Sequence, residues 1–496
     1  MLKSSFVGVN GEKQESYSSY SNVSMGDPEK YSAQAGVLSF RGGPFRQNAA
    51  AGTVTVQDEE LSIIRGIRTG RLGDNTGFGF GAQPNIIKWY KNIREMMNIS
   101  DDYKNVTAMK EVIVPSADGK IYFYDLDSQN YSREPINVGV PMSVSASVNP
   151  YGYPLLYVGQ SEETVQDGKA KYTVNAGLRI FNLIDQKLLA FKTSLNTVAE
   201  GKTHGATSAV VDTDSDTVIY TDRNGMLYTV GMNTMFNLDQ ASIYVSPSDV
   251  EYGYVTKLKN ATQGIPASVS VYGNYAYFGD LAGSLQCVDM NTMQTVWAKD
   301  MTDSVVSSVA IEENEDGVYL YVSTVINKTQ KSRNIAMLKL DALTGEKIWE
   351  TTTEYRGKFE SKTAKLGMYA GAMASPLVGE GEISDLVVFN INRLEIEKNT
   401  NSAVIYALDK MTGEVVWFEP LDAESVSSPI AVYDSTGKSY IVVGDEAGTL
   451  RLMDGFSGMT LSAINLNSAI QASPAAYGNT VVVGTSGGML YFVGIK

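Results

Sequence analysis

Apolar and polar residues alternate with a period of two along most of this chain, in short runs broken by Gly, Asn, Asp and Ser. That period puts successive side chains on opposite faces of a strand and predicts an all-β fold. The runs are rich in β-branched and aromatic residues, as in VIYALD before Asp409 and NIAMLKLD before Asp341, which suit a pleated, packed surface. One stretch looks helical, NIIKWYKNIREMMNI at residues 85–99, and Trp89 lies in it.

The runs are organised by a repeated phrase. LDALTGEKIW ends at Trp349, LDKMTGEVVW at Trp417 and VDMNTMQTVW at Trp297. Each reads as strand, tight turn, strand. Asp341 or Asp409 caps backbone amides, Thr344 or Thr412 follows three residues on, and Gly345 or Gly413 supplies a positive φ. Asp289, Thr292 and Trp297 keep the pattern with Met293 at the glycine position. Recurrence at a fixed offset marks a repeated structural unit. The tryptophans are expected to pack between neighbouring units, where such a ring buries about 150–250 Å².

Two more signatures recur. Gly-rich hairpin turns read SADGKIY, TDRNGML, GDLAGSL, GDEAGTL and GTSGGML; small residues open a strand at Ala146, Thr207, Ala267, Ser307, Ala374, Ser427 and Ala472, with AQP at Ala82 as an eighth. The spacing of these starts, from about 40 to about 67 residues, accommodates four strands and variable loops. Small residues suit strands crowded round an axis. The pattern predicts an eight-bladed β-propeller of four-stranded antiparallel blades. The last unit is one strand short, and residues 53–70 are expected to supply it and close the ring. Residues 46–496 then form a single propeller domain. Residues 1–45, rich in Ser, Tyr and Gly, are expected to be a flexible arm, with self-association through that arm as the alternative.

The phrase Asp-x-x-Thr-Gly-x-x-x-Trp resembles the tryptophan-docking repeat of the pyrroloquinoline-quinone (PQQ)-type β-propellers. The resemblance runs over about residues 50–496, complete in two units; Asp454, Ser457 and Gly458 keep it without the Trp, and the units at Asp125 and Asn182 have drifted. The wider text, including VLSFRGGPFRQNAAAGTV and YGYPLLYVGQ, resembles surface propellers of Gram-positive anaerobes. The resemblance implies either of two unlike activities, quinoprotein dehydrogenase or non-catalytic module such as the scaffold lipoprotein of outer-membrane β-barrel assembly, so the fold leaves function open. Alcohol-oxidising members carry two adjacent cysteines; this chain has one Cys. Sugar-oxidising quinoproteins use a histidine base, and the one imidazole here is His204, in a loop segment.

Charge and composition narrow the classes further. With 55 acidic against 40 basic residues and a net charge of −15, no basic block is left for a phosphate backbone, so a nucleic-acid partner is not expected. One His and one Cys do not make a conventional zinc site. Cys287, within SLQCVDM, is read as a small buried hydrophobe. The run VDTDSDTV (Asp212, Asp214, Asp216) lacks the central Gly and closing Glu of a calcium loop and is read as a solvated turn. No G-x-S-x-G elbow orders a nucleophile, and acidic pairs for glycoside chemistry cannot be singled out among so many turn acids. No catalytic, cofactor-binding or metal residue is assigned. No apolar run reaches spanning length, and no signal-peptide-like stretch follows Met1. An extracytoplasmic or cell-surface location on a bacterium is expected, the sequence then being a mature or a trimmed form.

Long connections between second and third strands begin near Ser161, Asn327 and Asn392, and long blade-to-blade connections near Leu195, Ser246 and Thr353. In a four-stranded blade both types emerge on one face, and insertions collected on one face are how repeat proteins build a binding surface. Lys257, Lys259, Tyr355, Arg356, Lys358 and Lys365 are the candidate partner residues there. The expected function is a non-catalytic binding or scaffold propeller that engages a protein or polysaccharide at the cell surface, without a cofactor. A quinone- or metal-dependent oxidoreductase is the alternative, as is a polysaccharide-acting or carbohydrate-binding propeller.

Overall fold

The computed structural model describes residues 2–26, 31–79, 82–160, 164–193, 205–256, 264–327, 333–355, 368–397 and 400–496. Eight antiparallel sheets form a ring. Their innermost strands are Asn85–Lys88, Ala146–Val148, Val210–Asp212, Ser270–Tyr272, Ala310–Asn314, Leu377–Val378, Ile430–Tyr433 and Ala475–Tyr477, which number blades 1 to 8. Seven of the eight expected starts precede one of these strands, and Ala146 is the first residue of its own. In blade 5, for example, Ala310–Asn314, Gly317–Ser323, Asn334–Asp341 and Lys347–Glu354 pair in sequence order. Blade 8 ends at Met489–Ile495, and Leu61–Arg68 completes it by antiparallel pairing from Met489 opposite Arg68 to Ile495 opposite Leu61. The closing strand lies within the expected segment.

The repeated phrase builds the joints between blades. Asp341 Oδ1 accepts from the Thr344 amide (2.8 Å) and hydroxyl (2.9 Å), and Asp409 does the same for Thr412 (2.7 and 2.9 Å). The turn then passes through Gly345 at φ +72° or Gly413 at φ +75°. Each tryptophan lies on the turn of the next blade. Trp297 Nε1 donates to Ala342 O (2.9 Å), Trp349 Nε1 to Lys410 O (3.0 Å) and Trp417 Nε1 to Gly455 O (3.2 Å). A Cβ on Gly345, Gly413 or Gly458 would stand 2.8, 2.6 or 2.4 Å from the indole above it. The glycine is therefore required twice, for its positive φ and for the ring that covers it.

Blades 1 and 2 make this joint with different atoms. Arg133 Nη1 donates to Leu183 O (2.8 Å), the carbonyl just after Asn182 and so the counterpart of Ala342 O. Its guanidinium is held by Glu111, which also accepts from Trp89 Nε1 (2.8 Å) and Ser132. Both members of the pair are fully buried. A buried ion pair of this kind is tolerated when the remaining polar atoms are satisfied.

Three expectations need correction. The stretch 85–99 is a helix only over Lys91–Met96, because Asn85–Lys88 is the inner strand of blade 1. The segment after Ser246 is not a connection: Ser248–Thr256 is the fourth strand of blade 3. Of the expected flexible arm at 1–45, residues 2–26 and 31–45 are placed as structure. Leu2–Val9 pairs antiparallel with Ser248–Thr256 on the outside of blade 3 and turns back as Glu12–Gln14. Its pairing edge is thus used within the same chain.

That added strand covers a buried acidic group. Glu251, opposite Gly8, is sealed with Asp249 and Asp222 at the joint with blade 2, where Lys192 reaches Asp249 (2.7 Å). A Cβ on Gly8 would lie 3.3 Å from Glu251 Oε2. Burial, then Asp249 and Asp222, push the Glu251 carboxyl up to about 7.

Two predictions follow from these contacts. Trp349→Ala and Trp417→Ala each remove a ring that locks two blades and should cost about 3–5 kcal/mol by large-to-small core precedent, read as a lowered urea midpoint; unchanged midpoints would refute the joint. A carboxyl with a raised folded pKa holds a proton that the unfolded chain has already released. Its stabilisation is present below the ordinary glutamate range and is lost as pH rises through about 7. Urea midpoints should therefore fall between about pH 5 and 8, and Glu251→Gln should flatten that slope; a slope identical in the variant would contradict the assignment.

Candidate functional site: the hub and the long-loop face

The hub is built from the small-residue strand starts and from a segment the blade pattern does not include. Residues 36–51 run once round the axis and touch the blades in order. Gly36 and Val37 pair with Ile87 and Ile86 of blade 1. Leu38 O accepts from Val148 N of blade 2 (2.8 Å), and Phe40 N donates to Ser208 Oγ of blade 3 (3.4 Å). Pro44 O accepts from Val271 N (2.9 Å), Phe45 O from Ile311 N (2.9 Å) and Gln47 O from Val378 N (3.4 Å), serving blades 4, 5 and 6. The Asn48 amide exchanges two bonds with Ala431 of blade 7, and Ala49 O accepts from Ala476 N of blade 8 (2.9 Å).

Two arginines of this collar tie distant blades together. Arg41 donates to Pro429 O, Pro376 O and Gln47 O; Arg46 donates to Val269 O, Ser208 O and Phe40 O. Both are buried, and burial lowers the Arg41 guanidinium to about 9 and that of Arg46 to about 10. Most of their partners are backbone carbonyls, so they serve as cross-braces, while both also line a recess of about 350 Å³.

On the other side of Phe40 a cavity of about 40 Å³ remains, lined by Thr207, Ser268, Ser307, Ser308, Ser375, Ser428 and Ser473, by Val144, Pro266, Ala267, Val306 and Met373, and by Arg223. Arg223 belongs to the second-to-third-strand turn of blade 3, and Val144, Pro266, Val306 and Met373 to blade-to-blade connections. The cavity therefore opens on the long-loop face. Neighbouring starts are linked by hydroxyls: Ser268 Oγ accepts from Ser208 N (3.2 Å), Ser428 Oγ from Ser375 N (3.0 Å) and Ser473 Oγ from Ser428 N (3.1 Å). At blade 5 this relay stops, and the buried hydroxyls of Ser307 and Ser308 have no hydrogen-bond partner among the described residues.

The same face carries the described insertions: the hairpin Thr164–Asp167 with Ala170–Thr173 in blade 2, the pair Val325–Asn327 with Met368–Gly371, and the extension Leu386–Glu397 with Thr400–Asp409 in blade 6. Lys257, Lys259, Arg356, Lys358, Lys365 and His204 lie outside the described residues. Tyr355 does not suit the partner-binding part: its side chain is 2% exposed and packs with Ile335, Trp349 and Phe389 between blades 5 and 6. The strand before it prolongs the blade, which turns the ring inward. The opposite face is not uniformly compact either, since it carries the helical insertion of blade 1 and the hairpin Met235–Asn237 with Ser242–Tyr244.

The remaining sequence candidates are structural. Cys287 is fully buried, and burial pushes its thiol up to about 12. Asp212 accepts from the Ser215 hydroxyl (2.6 Å) and Asp216 from the Thr234 amide (2.6 Å), so that run is a turn. Among the described residues no group of three or more His, Cys, Asp and Glu is arranged to hold a metal ion, and no helix is long and apolar enough to cross a membrane. Sequence reasoning missed the collar, Arg133 and Arg223. The text VLSFRGGPFRQ, with two arginines amid small and apolar residues, was the available signal for the collar.

Residues 339–496 match the family model described as outer membrane protein assembly factor BamB. No curated protein sequence matches the chain. Among solved structures, BamB from Moraxella catarrhalis is similar over 88% of this chain and 98% of its own, at 13% identity and a TM-score of 0.51. Quinohemoprotein alcohol dehydrogenase from Comamonas testosteroni is similar over 93% of this chain and 80% of its own (11% identity, TM-score 0.58), and a europium-containing methanol dehydrogenase over 94% and 98% (9%, 0.57). These likenesses show the fold.

Removing a brace should expose the hub's dependence on it. Arg46→Met leaves the carbonyls of Phe40, Ser208 and Val269 without their donor, at about 1–3 kcal/mol for each buried group left unpaired. The urea midpoint should drop by more than that of a surface Arg65→Met control; equal midpoints would contradict a bracing role.

Proposed function

Taking the chain as a PQQ-type β-propeller, we propose that it is a non-catalytic binding propeller that engages a protein partner through its long-loop face, outside the cytoplasm. The observation that carries this reading is the collar. The axis, where a propeller enzyme would need room for a substrate and a cofactor, is filled by residues 36–51. What is left on the long-loop side measures about 40 Å³, against roughly 300–1,000 Å³ for usual small-molecule sites; a second recess of about 350 Å³ is lined by the collar itself with Tyr31, Glu380 and Tyr433. A tricyclic quinone does not fit the long-loop cavity. Among the described residues the walls of that cavity offer hydroxyls, one guanidinium and apolar groups, with no carboxylate or imidazole to act as a base. The elaborations on the same face are hairpins and strand extensions, rigid devices suited to holding a partner in register. The likeness to an assembly factor at one end of the comparisons is compatible with this role.

A photo-crosslinking amino acid placed at Tyr172, exposed on the blade 2 hairpin, and separately at Tyr244, exposed on the opposite face, tests which side is used. In cells the Tyr172 position should give a discrete adduct and the Tyr244 position none. Adducts from Tyr244 alone, or from neither site, would defeat the proposal.

A further inference from the structure

The axial cavity has a chemical character narrower than its shape requires. Among the described residues its polar side chains are Arg223 and serine and threonine hydroxyls, with no Asp or Glu. Arg223 sits at its wall without an ion-pair or hydrogen-bond partner for its guanidinium among the described residues, in a chain where 55 acids outnumber 40 bases. Several buried arginines are taken up by acids, Arg133 by Glu111, Arg393 by Glu424 and Arg451 by Asp422 and Asp445. Ser307 and Ser308, 2% and 3% exposed, add two buried hydroxyls with no acceptor among the described residues. A buried hydroxyl left unpaired costs about 1–3 kcal/mol, which an incoming acceptor would relieve. The rest of the wall, Phe40, Val144, Pro266, Val306 and Met373, is apolar.

We propose that this cavity receives a single carboxylate on a short aliphatic stem, presented by an acidic side chain or the C terminus of the partner polypeptide. Arg223 supplies the charge-assisted bond, Ser307 and Ser308 donate to the second oxygen, and Phe40 and Met373 flank the stem. The size agrees: about 40 Å³ compares with roughly 10–15 Å³ for one water, enough for a carboxylate and one or two carbons and too little for a sugar ring. A cation would meet the Arg223 guanidinium and, among the described residues, no carboxylate to balance it. A phosphate would place a second charge where there is one guanidinium and an apolar wall. The inference rests on the reading that the long-loop face is the binding face.

The test follows the Met373 methyl resonance in protein carrying methyl-labelled methionine, assigned through Met373→Leu. Propionate should shift it saturably, while propionamide and inorganic phosphate at equal concentration should not. Arg223→Gln should weaken propionate at least tenfold and Ser308→Ala several-fold, with the urea midpoint of each retained. An N-acetyl tripeptide ending in a free carboxylate, set against a C-amidated one bearing a central Glu, identifies which source the cavity prefers. Equal binding of propionamide, stronger binding of phosphate, or no effect of Arg223→Gln would overturn the proposal. If Arg223→Gln loses propionate yet the Tyr172 adduct persists undiminished, the face is right and carboxylate recognition is not what holds the partner; loss of the adduct with the carboxylate supports both.

Discussion

Every blade of a propeller has an innermost strand with one edge turned toward the axis, and this structure depends on how those edges are satisfied. Buried peptide groups must find partners or cost folding free energy. Water filling a wide channel is one solution. This chain takes another, sending residues 36–51 once round the hub so that each blade receives at least one hydrogen bond in order of its number. The collar narrows the axis to two spaces, a cavity of about 40 Å³ on the long-loop side and a recess of about 350 Å³ lined by the collar itself.

Farther from the axis the same logic uses larger groups. Between blades 4 and 7 an indole from one blade covers the turn of the next and donates to the carbonyl after its capping acid. Between blades 1 and 2 the arginine of a buried ion pair reaches the equivalent carbonyl. The joint is therefore defined by the acceptor, the first carbonyl of the turn, and the donor is free to change. That explains how the ring stays regular while the phrase drifts.

Much of this was legible in the sequence and some was not, for physical reasons. The Asp–Thr–Gly turn, the tryptophans, the eight strand starts and the closing strand each impose a residue type at a fixed offset, so they appear as repeats. The collar makes about one bond per blade and follows no period of two, so residues 36–45 looked like part of a flexible arm. Leu2–Val9 was hidden because its partner, Ser248–Thr256, had itself been taken for a loop. Residues 85–88 continued an apolar pattern into a real helix and were absorbed by it. Tyr355 was placed in the long blade-to-blade connection from Thr353 and read with its loop, whereas its ring turns into the core. Arg223 was passed over because its meaning lies in what is missing around it, which a sequence does not display.

Hydrogen exchange on the amides that the collar accepts, Val148, Val271, Ile311 and Ala476, tests the central claim most directly. If the collar is an integral part of the hub, these amides exchange only with global unfolding, at the same free energy as the mid-blade amide of Val482. If they exchange through a low-energy opening while Val482 stays protected, the collar is a detachable arm, the axis is free to open, and the argument from a filled hub to a binding propeller fails.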